Sequence, residues 1–93
     1  MTALRFEWDL KKAAANLHKH KVSFHDAQTV FSDERALLID DPDHSEDEDR
    51  FVLLGLSHSL RLLVVVHCYR ADGNVVRLIS ARRADSDEQS LYQ

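Results

Sequence analysis

Glycine and proline are nearly missing from this chain, which has two of the first and one of the second. Long irregular loops and left-handed turns are therefore few, and most residues are available for regular elements. A single cysteine, Cys68, excludes an intramolecular disulfide and any thiolate cluster, and fits a reducing cytoplasm. No long apolar run occurs. The longest, residues 62–66, is far too short to cross a bilayer, so no membrane association is expected. Residues 1–9 are too short and too polar to read as a secretory signal. Internal repeats are lacking as well.

What is present suits a folded protein. Ninety-three residues, 44% apolar and 30% charged, predict one domain over 1–93 with a core small enough that a partner could complete it. The net charge of −4 is unevenly spread. Residues 1–50 hold seven Lys or Arg against twelve Asp or Glu, whereas residues 51–83 hold five Arg against Asp72 alone. The acid excess lies in residues 40–49 (DDPDHSEDED), predicted as a solvated loop. An arginine-rich sheet beside an acidic loop fits a nucleic-acid face, and fits equally arginines that keep sheet edges soluble.

Capping signals and periodicity order the chain. Residues 6–8 (FEW) read as an edge strand. Asp9 is a helix N-cap, with Leu10, Ala13, Ala14 and Leu17 forming an apolar face through about His20. Ser23 caps a second helix, with Asp26 three residues on and Phe24, Ala27, Val30 and Phe31 as its stripe. Strands are predicted over 36–39, 50–56, 60–70 and 75–82. Asp72-Gly73-Asn74 is a hairpin signal, and a short final helix is capped by Asp85 or Ser86. The order predicts an α+β fold: an N-terminal strand and two helices packed on a mostly antiparallel sheet, then a short C-terminal helix.

Alternation sorts the strand side chains. In the strand over 60–70, Leu62, Val64, Val66 and Cys68 form the all-apolar set and are expected to face the helices. Arg61, Leu63, Val65, His67 and Tyr69 are then expected on the open face. In the next strand either Arg82 or Arg83 joins them, which predicts a cluster of Arg61, His67 and one arginine of the pair. Such a cluster suits metal-free RNA cleavage. A 2′-hydroxyl that is deprotonated attacks the adjacent phosphorus if the site supplies a base, an acid and cations for the phosphoryl oxygens. Arginine pairs two oxygens at once, and histidine moves protons near neutral pH. Plain structural readings stand beside these: His67 as a hydrogen-bonded core histidine, His20 as a helix-end residue favoured by the dipole, Tyr92 as a pin for the last helix. No metal or cofactor is expected. His18 and His20 point to different sides of a helix, and a calcium loop counted from Asp41 has Glu46 where glycine is required and Val52 where a bidentate Glu is required.

Several stretches resemble the BrnT family: residues 6–9 (FEWD), 12–17 (KAAANL), 19–24 (KHKVSF), 43–51 (DHSEDEDRF), 55–57 (GLS), 61–67 (RLLVVVH), 77–84 (RLISARRA) and the closing Leu91-Tyr92. The resemblance implies a RelE-like fold and a metal-independent endoribonuclease toxin of a type II toxin–antitoxin pair, which cleaves RNA and arrests translation. It implies neutralisation by a BrnA-type antitoxin in a hetero-oligomer, with two of each chain as one arrangement, and contact with operator DNA only through that antitoxin. The residues expected to act are Arg61, Arg82 and Arg83 as phosphate and transition-state binders, and His67 and His20 as acid or base, with Glu48 and Tyr92 behind them. Two departures stand out. Lys21 occupies a position usually glycine in the family, and the tail after Arg83 is acidic where the family tail is rich in Arg and Glu. The rival reading is a non-enzymatic interaction module, or a decayed toxin, whose open sheet face only binds its partner.

Overall fold

The computed structural model describes residues 4–40 and 50–93. All of the acidic segment expected as a solvated loop except Asp40 lies outside the described residues, and Glu48 with it.

Strand β1 (Arg5–Glu7) leads into helix α1 (Leu10–His20), whose Asp9 cap accepts the backbone N–H groups of Lys11 and Lys12. Ser23 caps α2 (Phe24–Gln28) by accepting Asp26 N–H, and a 3₁₀ turn (Thr29–Ser32) follows. Strands β2 (Leu37–Ile39), β3 (Phe51–Leu56), β4 (Leu62–Arg70) and β5 (Val75–Arg83) precede a final turn of helix, α3 (Ser86–Gln89). The sheet order is β1-β5-β4-β3-β2, with β1 parallel to β5 and all other neighbours antiparallel. This is the expected α+β arrangement, with a mixed sheet. Of the two expected caps of α3, Asp85 is the one used: its carboxylate accepts Glu88 N–H while Glu88 accepts Asp85 N–H, a capping box.

Both glycines have a steric reason. A Cβ on Gly55 would meet Val30 Cγ1 at 2.7 Å and Ala36 Cβ at 2.8 Å, where the 3₁₀ turn presses on β3. Gly73, at φ +89°, ends a hairpin turn in which Ala71 and Asp72 also take positive φ.

The face assignment of β4 is the reverse of the expectation. Leu63, Val65 and His67 are fully buried against Val22, Phe24, Ala27 and Val30 of the helical layer. Leu62, Val64 and Val66 face the other way, against Val52, Leu54, Ala84 and Tyr92. The polar members of the mixed set misled the reading because they lie at its ends. Arg61 precedes the strand and Tyr69 lies near its exposed end, so only His67 must be accommodated inside. A bulge also breaks strict alternation in β5. His67 pairs with Leu78 and Val66 with Ser80, which leaves Ile79 unmatched. Val76 and Leu78 before the bulge, and Ala81 and Arg83 after it, therefore share the helix side, while Arg77 and Arg82 share the back.

The α1 stripe faces the core only in part: Ala13 packs inward as expected, but Leu10, Ala14 and Leu17 do not. The inward positions are Ala13, Asn16 and His20, and Leu10 is 80% exposed. Strand β1 covers only the first third of β5, so α1 lies along the bare edge beyond it. Asn16 takes the place of the missing strand. Its amide donates to Ala81 O at 2.9 Å and accepts Ala81 N–H at 3.0 Å, and it also donates to Val22 O at 2.9 Å. Satisfying those backbone groups turns the helix Asn16-side inward, at the expense of burying Leu10.

Candidate RNA-binding face

The back of the sheet divides in two. One half is covered by the chain end: Ala84 and Tyr92 pack on Val52, Leu54 and Val64. The other half holds a hollow of about 270 Å³ lined by Lys12, Arg50, Cys68, Arg70, Arg77 and Ile79. Four of those six side chains are cationic. Register explains the gathering, since Cys68 pairs with Arg77 and Arg70 with Val75 on either side of the hairpin turn. Glu7, beside Arg77 on β1, bridges the two arginines at 2.8 Å from Arg77 Nη1 and 3.4 Å from Arg70 Nε. Lys12 reaches in from α1, whose cap Asp9 is held below the usual carboxylate range by the N–H groups of Lys12 and Lys11, with Arg77 adding a smaller effect.

A second hollow of about 240 Å³ adjoins the first along the β5 edge, lined by Lys12, Ala15, Lys19, His20, Ile79 and Ser80 among others. Lys12 and Ile79 belong to both. A cationic track thus runs from Lys19 and His20 over the strand edge to Arg77 and Arg70. Guanidinium forks there could take the oxygens of successive phosphates, and an imidazole stands beside them.

The expected cluster of Arg61, His67 and Arg82 or Arg83 does not assemble. Arg61 lies in the turn before β4, where it donates to Asp26 Oδ2 at 2.8 Å, to Lys21 O at 2.9 Å and to Ser59 Oγ at 3.2 Å. Burial works to raise Asp26, but hydrogen bonds from Ser59 and Arg61 outweigh it and keep the carboxyl low. His67 is wholly buried, ringed by Phe31, Phe51 and Tyr69 at centroid distances of 4.8 to 6.0 Å. Its Nδ1 lies 3.1 Å from Val65 O, and Nε2 has no hydrogen-bond partner among the described residues. Burial lowers its pKa, against the opposing Val65 contact, and so favours the neutral ring.

Arg82 points to the back face and grips Glu88 with both terminal nitrogens, at 2.7 and 2.8 Å. That bond, more than the Asp85 N–H and against some burial, holds Glu88 below the usual carboxylate range. Arg83 is exposed on the helix side. Tyr92 donates to Asp33 Oδ2 at 2.6 Å, which together with burial pushes its hydroxyl above the ordinary tyrosine range. Of the residues singled out in the sequence, His20 alone lines the track. Arg70 and Arg77, which the sequence reading passed over, form its centre. Counting back and forward in twos from Asp72-Gly73 would have placed them on one face. Among the described residues no group of three or more His, Cys, Asp or Glu is placed to hold a metal ion, and no helix is long and apolar enough to cross a membrane.

Comparison with known proteins agrees with this architecture. A 1.1 Å crystal structure of the Brucella abortus ribonuclease toxin BrnT superposes with a TM-score of 0.68 at 21% identity, over 90% of this chain and all of that one. No curated protein matches. The family model for the ribonuclease toxin BrnT of type II toxin–antitoxin systems matches residues 8–88. The chain therefore belongs to the BrnT family of ribonuclease toxins.

Proposed function

We propose that residues 1–93 act as one RelE-like toxin domain that cleaves RNA internally without a metal ion and so arrests translation in the cytoplasm. The observation that carries this reading is the cationic hollow on the open half of the sheet, in a chain whose net charge is negative. An acidic protein has no general affinity for RNA, so a local gathering of Lys12, Arg70 and Arg77 is where phosphates would be held.

The roles divide by accessibility. Arg70 and Arg77 bind the scissile phosphate and its neighbour, oriented by Glu7. Their charge stabilises the phosphoryl oxygens as the 2′-oxygen attacks. His20, half-buried beside Lys12 and Lys19, moves the proton. Arg83 serves a flanking phosphate. Arg61, Arg82 and Tyr92, each tied to a carboxylate, position the loops and α3 around the sheet. His67 supports β4 from inside. Neutralisation falls to a BrnA-type antitoxin that carries the operator-binding part, in a complex with two copies of each chain as its simplest symmetric form.

The test is cleavage of single-stranded RNA in excess chelator by the chain and by a Lys12→Ala, Arg70→Ala double variant. Both positions are exposed, so the fold should hold. A loss of about a hundredfold in cleavage is expected, with the salt dependence of RNA binding flattened by about 0.7 in log–log slope per lost contact. Undiminished cleavage by the folded double variant would remove the hollow from the mechanism. Intact RNA with the unaltered chain would favour a binding module.

A further inference from the structure

Helix α1 carries its apolar stripe on the solvent side. Leu10 and Leu17 are 80% and 49% exposed, with exposed Ala14 between them. Together with Trp8, Phe24 and His25 they line a groove of about 200 Å³ between α1 and the start of α2. Its floor is firm, because Trp8 meets Phe24 and His25 edge-on at centroid distances of 5.9 and 5.0 Å. Exposed apolar residues at i, i+4 and i+7 beside a rigid aromatic floor have the form of a helix-in-groove receptor.

The rim of that groove is cationic. Lys11 follows the stripe residue Leu10, and Lys21 ends the helix in a left-handed conformation. The nearby carboxylates are engaged, Asp9 by the N–H groups of Lys11 and Lys12 and Asp26 by Arg61 and Ser59. A second copy docked by two-fold symmetry would set these cations against themselves. An acidic-flanked helix would meet both the stripe and the rim.

We infer that the outward face of α1 is the docking site for an amphipathic helix of the antitoxin, with apolar residues at i, i+3 or i+4, and i+7, and Asp or Glu along its flanks. The inference rests on membership of a toxin–antitoxin family and is independent of how RNA is cut. The site lies on the other side of α1 from Lys12 and Lys19, so it is separate from the cationic track.

The test titrates the full-length antitoxin encoded with this chain into three forms of it by calorimetry. A Leu10→Glu, Leu17→Glu variant should bind about a hundredfold more weakly, as expected for loss of two central apolar anchors. A Lys11→Glu, Lys21→Glu variant should bind about tenfold more weakly at low salt and near normally at high salt. RNA cleavage by either isolated variant should match the unaltered chain, and circular dichroism should report the same helix content. Should the leucine variant misfold, Ala14→Arg, exposed and helix-compatible, blocks the groove sterically and should weaken binding to a similar extent. Unchanged antitoxin affinity in the folded variants overturns the inference. So does a dimeric free chain that the leucine variant makes monomeric while antitoxin affinity is kept, which would assign the face to a second copy.

Discussion

Glu88 spans two elements at once: it accepts both terminal nitrogens of Arg82 on β5 while closing the Asp85 cap of α3. The carboxylate is largely buried, and Arg82 is about one-third exposed. Truncation to Glu88→Ala removes both carboxylate bonds to Arg82 and opens the cap, at a cost of about 2–3 kcal/mol by denaturant unfolding. Glu88→Gln, which keeps one acceptor, should lose less. A neutral result for Glu88→Ala would mean that α3 adds nothing to the stability of the sheet.

Asn16→Ala removes three hydrogen bonds and leaves Ala81 N–H and C=O facing an apolar helix side. A loss of about 3 kcal/mol is expected. Asn16→Asp should cost at least as much, because a carboxylate cannot donate to Val22 O or Ala81 O and is buried as a charge. Equal stability of the Asp variant at neutral pH would refute the role assigned to the amide.

Lys21 sits at φ +61°, the left-handed C-cap of α1, with its N–H bonded to Leu17 O. Glycine adopts this conformation without a Cβ penalty. Lys21→Gly should therefore raise stability by about 1 kcal/mol and leave the bond from Arg61 to the residue-21 carbonyl in place. A fall in melting temperature would show that the lysine side chain does more than follow its backbone.

His67 gives the fold a pH dependence of known sign. Its folded pKa lies below the ordinary histidine value of 6.5, so the unfolded chain takes up a proton first as pH falls and stability declines below that value. Glu88, Asp26 and Asp33 are also held low in the fold. Their contribution is complete above the unfolded carboxylate range and is lost at lower pH still, as each is protonated. Unfolding free energies should therefore drop in two stages on acidification, and His67→Leu should abolish the first while leaving RNA cleavage intact. A single acid transition in the unaltered chain would remove His67 from the account.

The parts of this fold that local chemistry governs were legible in the sequence. Asp9 and Ser23 cap helices because a short acceptor side chain precedes a helical stripe, and Gly73 turns a hairpin because the backbone there requires positive φ. The order of elements along the chain followed from these. What could not be read were effects of distant partners. The Ile79 bulge changes which arginine faces which way, and no local signal marks it. Asn16 lies off the Leu10–Leu17 stripe, and its bonds to the uncovered edge of β5 turn Leu10 and Leu17 out to solvent. The candidate site suffered most, because it depends on face assignment. Arg61, Arg82 and His67 each fit phosphate chemistry by residue type, yet each is occupied or enclosed, while Arg70 and Arg77 meet only through strand register.

The parallel pairing of β1 with β5 also bears on when the protein becomes active. Glu7 finds Arg77 seventy residues along the chain, and Asn16 finds Ala81 sixty-five residues along. Lys12 and Arg77, which share the cationic hollow, lie at opposite ends of the order of synthesis. Contacts this non-local form late, after the cost of closing the intervening chain has been met. A nascent chain that ends before β5 has no edge for Asn16, no partner for Glu7 and no hollow. Under the proposed function, competence to cut RNA waits until β5 has been made, which gives an antitoxin already present that interval to be at hand.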